Sequence, residues 1–282
     1  MKRHLPSIAY AGALAGLCVC SAALAGEINL TSYPPQFCTT LSDGVMLCNA
    51  SGTADENVGT GTWDVIVKSS TNLNTYYMYN TADGDGGPQP GDIGDGNQVT
   101  NGEGNHVEPL AHLAVTNIGG VDYVTLGLDI NQELMTPDFF LSVDDIRLYL
   151  SPAGTPITGF NGTTLGGASA FWALTPDDYI KLNASFASGS GQGIDMFMHM
   201  PTSMFASADL TNWFYVYSAF GGSGGFVNND GTEEWSYDDC YDDKTGAQVA
   251  QCMSRQVPEP ATLALLGLGL LGLGFARKLR RH

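Results

Sequence analysis

The stretch Tyr123-Val124-Thr125-Leu126-Gly127-Leu128-Asp129-Ile130 decides the fold class. Large apolar residues recur at every second position from Val124, so one face of the extended segment is apolar and the other is mostly small or polar. This alternation is typical of a half-buried antiparallel strand. The same period of two returns over residues 146–150 and 194–200, so the chain repeats one kind of element.

Further strand-like runs are rich in β-branched and aromatic residues and are separated by glycine-rich turns. They are residues 62–68, 75–79, 112–116, 180–184 and 213–218. The sequence between the two terminal segments shows no convincing long apolar stripe of period 3.6, and only residues 201–208 suggest a short helix. We therefore predict an all-β fold: a single antiparallel β-sandwich, jelly-roll-like, over residues 26–256.

Residues 83–105 differ from the rest, because they contain eight glycines, two prolines and few apolar side chains. Such a segment cannot bury a core of its own and is predicted to be a long surface loop. Asp83, Asp85, Asp92 and Asp95 offer carboxylates on this loop, and flexible carboxylates suit Ca²⁺. A calcium site and a merely solvated loop both remain open, and no other cofactor is expected.

A second acidic cluster covers residues 228–234 and 238–243. It is interpreted either as another calcium site or as a solvated face with Trp235 in the core. Two further acidic pairs, Asp144-Asp145 and Asp177-Asp178, are expected to be poor acid/base pairs. Neighbours in an extended chain point to opposite faces, and the second pair more plausibly begins a turn after a proline.

The N-terminus has the features of a secretory leader. Two cations precede an apolar stretch, and Ala23 and Ala25 stand at positions −3 and −1 of a cut before Gly26. Small residues at these two positions are typical of a signal-peptide cleavage site. We predict a signal peptide over residues 1–25.

The C-terminal residues 257–282 begin with a short polar signature, Pro258-Glu259-Pro260, and continue with an uncharged run over residues 261–276. As a helix this run would be about 24 Å long, slightly short for a bilayer, and flanking cations can make up the difference. The basic tail, residues 277–282, favours the cytoplasmic side. Its cations are Arg277, Lys278, Arg280 and Arg281. A transmembrane helix is therefore predicted, with the body across the membrane from the cytosol.

This order of signature, apolar helix and basic tail resembles the PEP-CTERM sorting signal of Gram-negative bacteria that make exopolysaccharide. The resemblance implies a partner, an exosortase-type membrane protease, that cuts near Pro258-Glu259-Pro260. The inner-membrane anchor would then be transient, and the body would reach the cell surface or the extracellular space. Five blocks of the body also resemble exported PEP-CTERM proteins without assigned activity. They are residues 128–132, 140–149, 195–196, 215–221 and 233–235.

Charge narrows the choice of partners. The chain has a formal net charge of −18, from 11 lysines and arginines and 29 acids. Six of those cations but only Glu259 among the acids lie in the two terminal segments, which leaves five cations against 28 acids, or −23, for the body. Such a surface repels nucleic acid and anionic lipid, so no nucleic-acid partner is expected.

Four cysteines remain in the body: Cys38, Cys48, Cys240 and Cys252. Export favours disulfides, and four cysteines allow three pairings. The local pairing, Cys38 with Cys48 and Cys240 with Cys252, needs the least chain closure. No cysteine or histidine spacing suggests zinc.

The body contains no convincing catalytic constellation. Ser223 lies within a G-x-S-x-G match, but a loop follows it where a nucleophile elbow requires a helix. Aromatic residues over 76–79 and 213–217 could stack on sugars, although about half of such rings must face the core. We expect a non-enzymatic surface or matrix protein associated with exopolysaccharide. The alternatives are a calcium-dependent, lectin-like carbohydrate-binding module and a secreted hydrolase.

Overall fold

The computed structural model describes residues 26–32, 37–50, 63–70, 74–80, 106–132, 139–155, 157, 159–185, 193–229, 232–241 and 247–254. Within these ranges the regular structure consists of strands and two short 3₁₀ helices, Leu110–His112 and Thr202–Phe205. The second helix is shorter than the predicted helix over residues 201–208, because Pro201 is still the last residue of a strand. The all-β prediction is confirmed.

The strands alternate between two sheets along much of the chain. They are β1 (Glu27–Asn29), β2 (Cys38–Thr40), β3 (Met46–Asn49), β4 (Trp63–Ser70), β5 (Tyr76–Tyr79), β6 (Glu108–Pro109), β7 (Val115–Ile118), β8 (Val121–Asp129), β9 (Phe140–Ser151), β10 (Thr164–Leu165), β11 (Ala168–Ser169), β12 (Trp172–Ala173), β13 (Tyr179–Asn183), β14 (Met196–Pro201), β15 (Trp213–Phe220) and β16 (Thr232–Asp238).

The first sheet has the order β1-β13-β9-β15-β5, with β12 paired to β9 and β6 paired to β15. The second sheet has the order β2-β3-β14-β8-β16-β4, with β7 paired to β8. Strands β10 and β11 form a separate two-stranded hairpin. The pairs are antiparallel, as predicted, except that the N-terminal strand β1 runs parallel to β13.

The two sheets share one apolar core, which makes the fold β-sandwich-like. Alternate residues of β8 and β14 face this core, as the period-two pattern predicted. They meet the inward residues of β9 and β15 from the other sheet. The main contributors are Val124, Leu126, Leu128, Met196, Met198, Met200, Ile146, Leu148, Phe214 and Val216. The finer description as a jelly roll stays a prediction.

A third layer covers part of the outer face of the first sheet. Tyrosines on β5, β9 and β15 point away from the main core and pack under the segment that carries the β10–β11 hairpin. This smaller cluster contains Tyr79, Tyr149, Tyr215, Tyr217, Ile157 and Leu165, all of them buried. These rings are therefore packing residues, and the aromatic run on β15 offers less free ring surface than the sequence suggested.

A β-bulge interrupts β9. Ala219 of β15 lies opposite Asp145, whereas the next residue, Phe220, lies opposite Val143, so Asp144 is the extra residue. The bulge lets both ends of β9 keep their apolar residues toward the core. It also removes the strict alternation at the acidic pair, so Asp144 and Asp145 line the same cleft. The expectation that these two acids lie on opposite faces is therefore wrong.

Candidate functional site

Both local disulfides are formed. Cys38 and Cys48 lie opposite each other on β2 and β3 and are bonded across that strand pair. Cys240, just after β16, is bonded to Cys252. The local pairing is thus confirmed among the three that the sequence allows. Each bridge restricts a short loop and stabilises the fold mainly by limiting the unfolded chain.

Most of the other predicted site residues lie outside the described residues. They are the sorting residues Pro258, Glu259, Pro260, Arg277, Lys278, Arg280 and Arg281, the leader residues Ala23 and Ala25, and the calcium candidates Asp83, Asp85, Asp92 and Asp95. In the described part of the chain, no helix is long and apolar enough to span a membrane. Nor do His, Cys, Asp and Glu side chains there gather in threes that could hold a metal ion.

Gly26 is described, and its backbone is fixed next to β13. Its N–H donates a hydrogen bond to Asp178 Oδ1 at 2.9 Å, and its carbonyl accepts one from Tyr179 N–H at 3.1 Å. A Cβ on this residue would lie 2.9 Å from Asp178 Oδ1, which is too close. A larger side chain here would have to displace the Asp178 carboxylate, and a cut before Gly26 would place the new α-amino group beside that carboxylate.

A cleft of about 610 Å³ opens on the outer face of the first sheet. Its lining combines three carboxylates, one guanidinium and several hydroxyls with small apolar side chains. The residues are Asp144, Asp145, Arg147, Thr163, Ser169, Ala170, Ala173, Leu174, Thr175, Pro176 and Asp177. They come from the bulged strand β9, from the β10–β11 hairpin, and from β12 and the turn that follows it. We take this cleft as the candidate functional site.

Arg147 fixes one wall of the cleft. Its Nε and Nη2 contact Asp145 Oδ2 at 2.7 and 2.6 Å, and its Nη1 donates to the carbonyls of Gly162 and Thr163 at 2.9 and 3.3 Å. The guanidinium also lies over the rings of Phe160 and Tyr217, at 5.6 and 5.7 Å from their centroids. Arg147 therefore ties the segment that carries the β10–β11 hairpin, which we name the covering segment, to β9.

A glycine-rich turn after β15 supports the bulge. Gly222 N–H donates to Asp144 Oδ2 at 2.5 Å, and Ser223 N–H donates to Ser142 Oγ at 3.2 Å. Gly221 has φ of +81°, and a Cβ there would lie 2.0 Å from the carbonyl oxygen of Asn74. The G-x-S-x-G match is therefore a packed turn. A loop follows it, as the sequence indicated, so Ser223 lacks the helix of a nucleophile elbow.

Another part of the cleft lining has a backbone in an uncommon conformation. Asp177 has φ of 70°, a left-handed conformation that most residues avoid and that Asp and Asn tolerate best. The neighbouring Asp178 N–H closes the turn on the carbonyl of Thr175 at 3.1 Å. The predicted turn is confirmed, and it places the Asp177 residue on the lining of the cleft.

A second group of acids is buried instead of exposed. Asp129, Asp195 and Glu233 are 0 %, 2 % and 0 % exposed. Asp195 Oδ2 accepts a hydrogen bond from Ile130 N–H at 2.8 Å, and Glu233 accepts one from the Tyr76 hydroxyl. The first contact ties the end of β8 to the residue before β14, and the second ties β16 to β5 of the other sheet. The sequence placed Glu233 in a calcium-binding or solvated cluster, and the solvated interpretation is wrong for this residue.

Burial shifts the acid–base behaviour of this group. It raises the pKa of Glu233 from 4.5 to about 8, an effect that the Tyr76 hydrogen bond only partly opposes, and the Asp129 charge adds to it. The pKa of Tyr76 itself is raised well above its usual value, mainly by burial, so the phenol keeps its proton and donates a hydrogen bond to Glu233. Glu233 is therefore largely protonated at neutral pH.

His199 on β14 illustrates the same effect for a base. Burial lowers its pKa from 6.5 to about 4, and its Nδ1 lies 2.8 Å from Thr125 Oγ1. The ring also packs beside Phe197 and Tyr123. A neutral histidine held by a threonine and two aromatic rings is a packing residue of the outer face of the second sheet.

Sequence reasoning missed the cleft because its residues are distant in the chain. One signal was available for the buried acid: Trp235 belongs in the core, and Glu233, two positions earlier on the same strand, shares its face. No comparable signal marks the cleft, because the bulge at Asp144 is not visible in the sequence.

Comparisons with known proteins bear on the C-terminal segment. The model of the PEP-CTERM protein-sorting motif matches residues 256–281. No curated protein and no solved structure matches the chain. The motif confirms the resemblance carried by Pro258-Glu259-Pro260, the apolar run and the basic tail. The chain therefore carries a PEP-CTERM sorting motif at residues 256–281, which supports export to the cell surface or the extracellular space and implies processing by an exosortase.

Proposed function

We propose that this protein is a non-enzymatic component of the cell surface or matrix that binds exopolysaccharide in the cleft beside Arg147. A leader over residues 1–25 directs export, and a helix over residues 261–276 anchors the precursor transiently in the inner membrane. The fixed backbone of Gly26 supports a mature chain that begins there, because a new α-amino group would meet Asp178 at hydrogen-bond distance.

The composition of the cleft carries the proposal. A polysaccharide offers many hydroxyl donors and few charges, and carboxylates accept such donors strongly. The Arg147 donors are already directed to Asp145 and to two carbonyls, so the wall is rigid before any ligand arrives. Preformed sites of this volume, with apolar lining and a few polar groups, are typical of ligand sites.

Asp177→Asn tests the proposal with little disturbance of the backbone, because Asn also tolerates a positive φ. The mature protein is run through gels that contain the exopolysaccharide of its own host. We expect binding about tenfold weaker than for the parent, since a charge-assisted hydrogen bond is weakened. Asp122→Asn, on the β7–β8 hairpin, is the charge-matched control and should bind like the parent.

Three results would contradict the proposal. If the polysaccharide in the gel slows the parent and Asp177→Asn equally, that equal retention would exclude the cleft as the binding site. Loss of retention of the parent in EDTA would favour the calcium-dependent, lectin-like alternative. Release of new reducing ends from the polysaccharide, abolished by Asp144→Asn or Asp177→Asn, would favour a secreted hydrolase.

A further inference from the structure

The chain segment that leads into the sorting motif is tied to the body, and we name residues 247–254 the strap. Val115 N–H donates to the carbonyl of Gln251 at 2.6 Å, and Met253 N–H donates to the carbonyl of Leu113 at 2.9 Å. Met253 is buried in the main core, and Cys252 is bonded to Cys240. The strap therefore belongs to the folded body up to its last residues.

Only residues 255–257 separate the strap from the Pro258-Glu259-Pro260 signature, and we name this short segment the tether. The last residue of the strap is Ser254, the sorting motif matches from residue 256, and the Pro258-Glu259-Pro260 signature follows at once. A fully extended chain covers about 3.3–3.6 Å per residue, so Pro258 lies within about 14 Å of Ser254. A membrane protease that cuts near this signature must therefore come into contact with the body.

Two large apolar side chains are exposed beside the tether. Val249 is 57 % exposed and Tyr241 is 37 % exposed, and both are among the large hydrophobic residues that the described chain leaves open. Their backbones lie side by side, because Val249 N–H donates to the carbonyl of Cys240 at 2.8 Å and Tyr241 pairs with Gln248. We name Tyr241 and Val249 the knob; the Cys240–Cys252 disulfide holds it in place.

We propose that the knob is a docking surface for the exosortase-type protease, used in addition to the sorting motif. The tether length selects this occupant, since the enzyme that handles the motif is brought next to the knob in every cleavage event. A lipid surface fits less well, because the body has a net charge of −23 and an anionic bilayer would repel it. This proposal does not depend on sugar binding in the cleft.

The test measures conversion of precursor to released protein in a host with its exosortase. At the native spacing, Tyr241→Ser combined with Val249→Ser should slow conversion at least threefold. An insertion of twelve Gly/Ser residues between Ser254 and Arg255 adds about 20 Å of flexible reach. With that insertion we expect both bodies to be converted at the same rate, because the cut site no longer needs the body to dock.

Controls separate docking from folding. Val227→Ser removes a comparably exposed apolar side chain elsewhere and should be converted at the parent rate. Replacing Pro258-Glu259-Pro260 by alanines provides the uncleaved reference. The released double variant must show the parent melting temperature and an intact Cys240–Cys252 disulfide. If the double variant fails either check, the conversion rate is measured for Val249→Ser alone.

Parent-rate conversion of the double variant at the native spacing would overturn the proposal, and so would a threefold defect that persists with the insertion. The released parent should not float with vesicles of phosphatidylethanolamine and phosphatidylglycerol, and it should sediment like the double variant. Vesicle binding or self-association that depends on the knob would assign the surface to lipid or to a second copy instead.

Discussion

The two groups of carboxylates in this protein are made of the same side chains and behave differently. Asp129, Asp195 and Glu233 lie at or next to the ends of β8, β14 and β16 and are almost fully buried. Asp144 and Asp177 line an open cleft on the outer face of the first sheet. The first group is closed off from solvent, whereas the second lines a space that a ligand can enter, although Asp144 Oδ2 also accepts a hydrogen bond from Gly222 N–H.

Surroundings, and not residue type, decide the role of each group. Removing a carboxylate from water raises its pKa, and a buried acceptor without a donor destabilises the fold. The buried group is therefore expected to govern stability and its pH dependence. The cleft group is expected to govern binding. Substitutions in the two groups should separate these effects.

The largest effect is expected at Asp195. Asp195→Ala leaves the buried Ile130 N–H without its acceptor, which costs about 1–3 kcal/mol of unfolding free energy. For a body of this size that lowers the melting temperature by about 3–10 °C. Asp195→Asn keeps an acceptor oxygen and should recover part of the loss. Equal melting temperatures for the parent and Asp195→Ala would show that this hydrogen bond contributes nothing.

A smaller, pH-dependent effect is expected at Glu233. Its pKa is raised from 4.5 in the unfolded chain to about 8 in the folded protein, mainly by burial. The folded state therefore holds the proton more tightly, so this contribution to stability is complete below pH 4.5 and is lost as the pH rises through 8. Glu233→Gln should be more stable than the parent at pH 9 and no more stable at pH 5.

Thermal melts of both proteins at pH 5, 7 and 9 check this result. The pKa of Asp238 is raised to about 6 by burial and acts in the same direction, whereas the lowered pKa of His199 acts in the opposite one. Both residues are retained in Glu233→Gln. The difference between the parent and the variant therefore isolates Glu233. A difference that does not change with pH would contradict burial as the cause.

The smallest effect on stability is expected in the cleft. Asp177→Asn keeps a side chain that tolerates the positive φ, so unfolding should change by less than about 0.5 kcal/mol. Urea unfolding of the mature protein measures this value. A loss as large as that of Asp195→Ala would remove the distinction between the two groups, and a loss of sugar binding by this variant would then reflect unfolding.

The sequence predicted those parts of the fold that depend on local alternation. Residues 123–130 and 194–200 form strands with the expected faces toward the core. The strand predicted over residues 112–116 starts later, at Val115. The reason is that Leu113 and Ala114 make single bridges to two different neighbours, Asp239 and Cys252, instead of one continuous ladder.

The candidate site depends on non-local geometry. The bulge at Asp144 arises from the register of β9 against β15, which no local pattern encodes. The cleft also needs Thr163 and Asp177, which are brought to β9 by the covering segment and by the turn after β12. The disulfide pairing was easier to predict, because closing a short loop costs less entropy and so favours the local pairs. The predicted calcium residues lie outside the described residues, so that prediction stands as it was.

The parallel pairing of β1 with β13 has a consequence for when the protein can fold. The contact between Gly26 and Asp178 joins residues 152 positions apart, so the first strand has no partner until β13 is available. Such long-range closure slows folding. For an exported chain, this delay keeps the opening segment from pairing into a sheet too early.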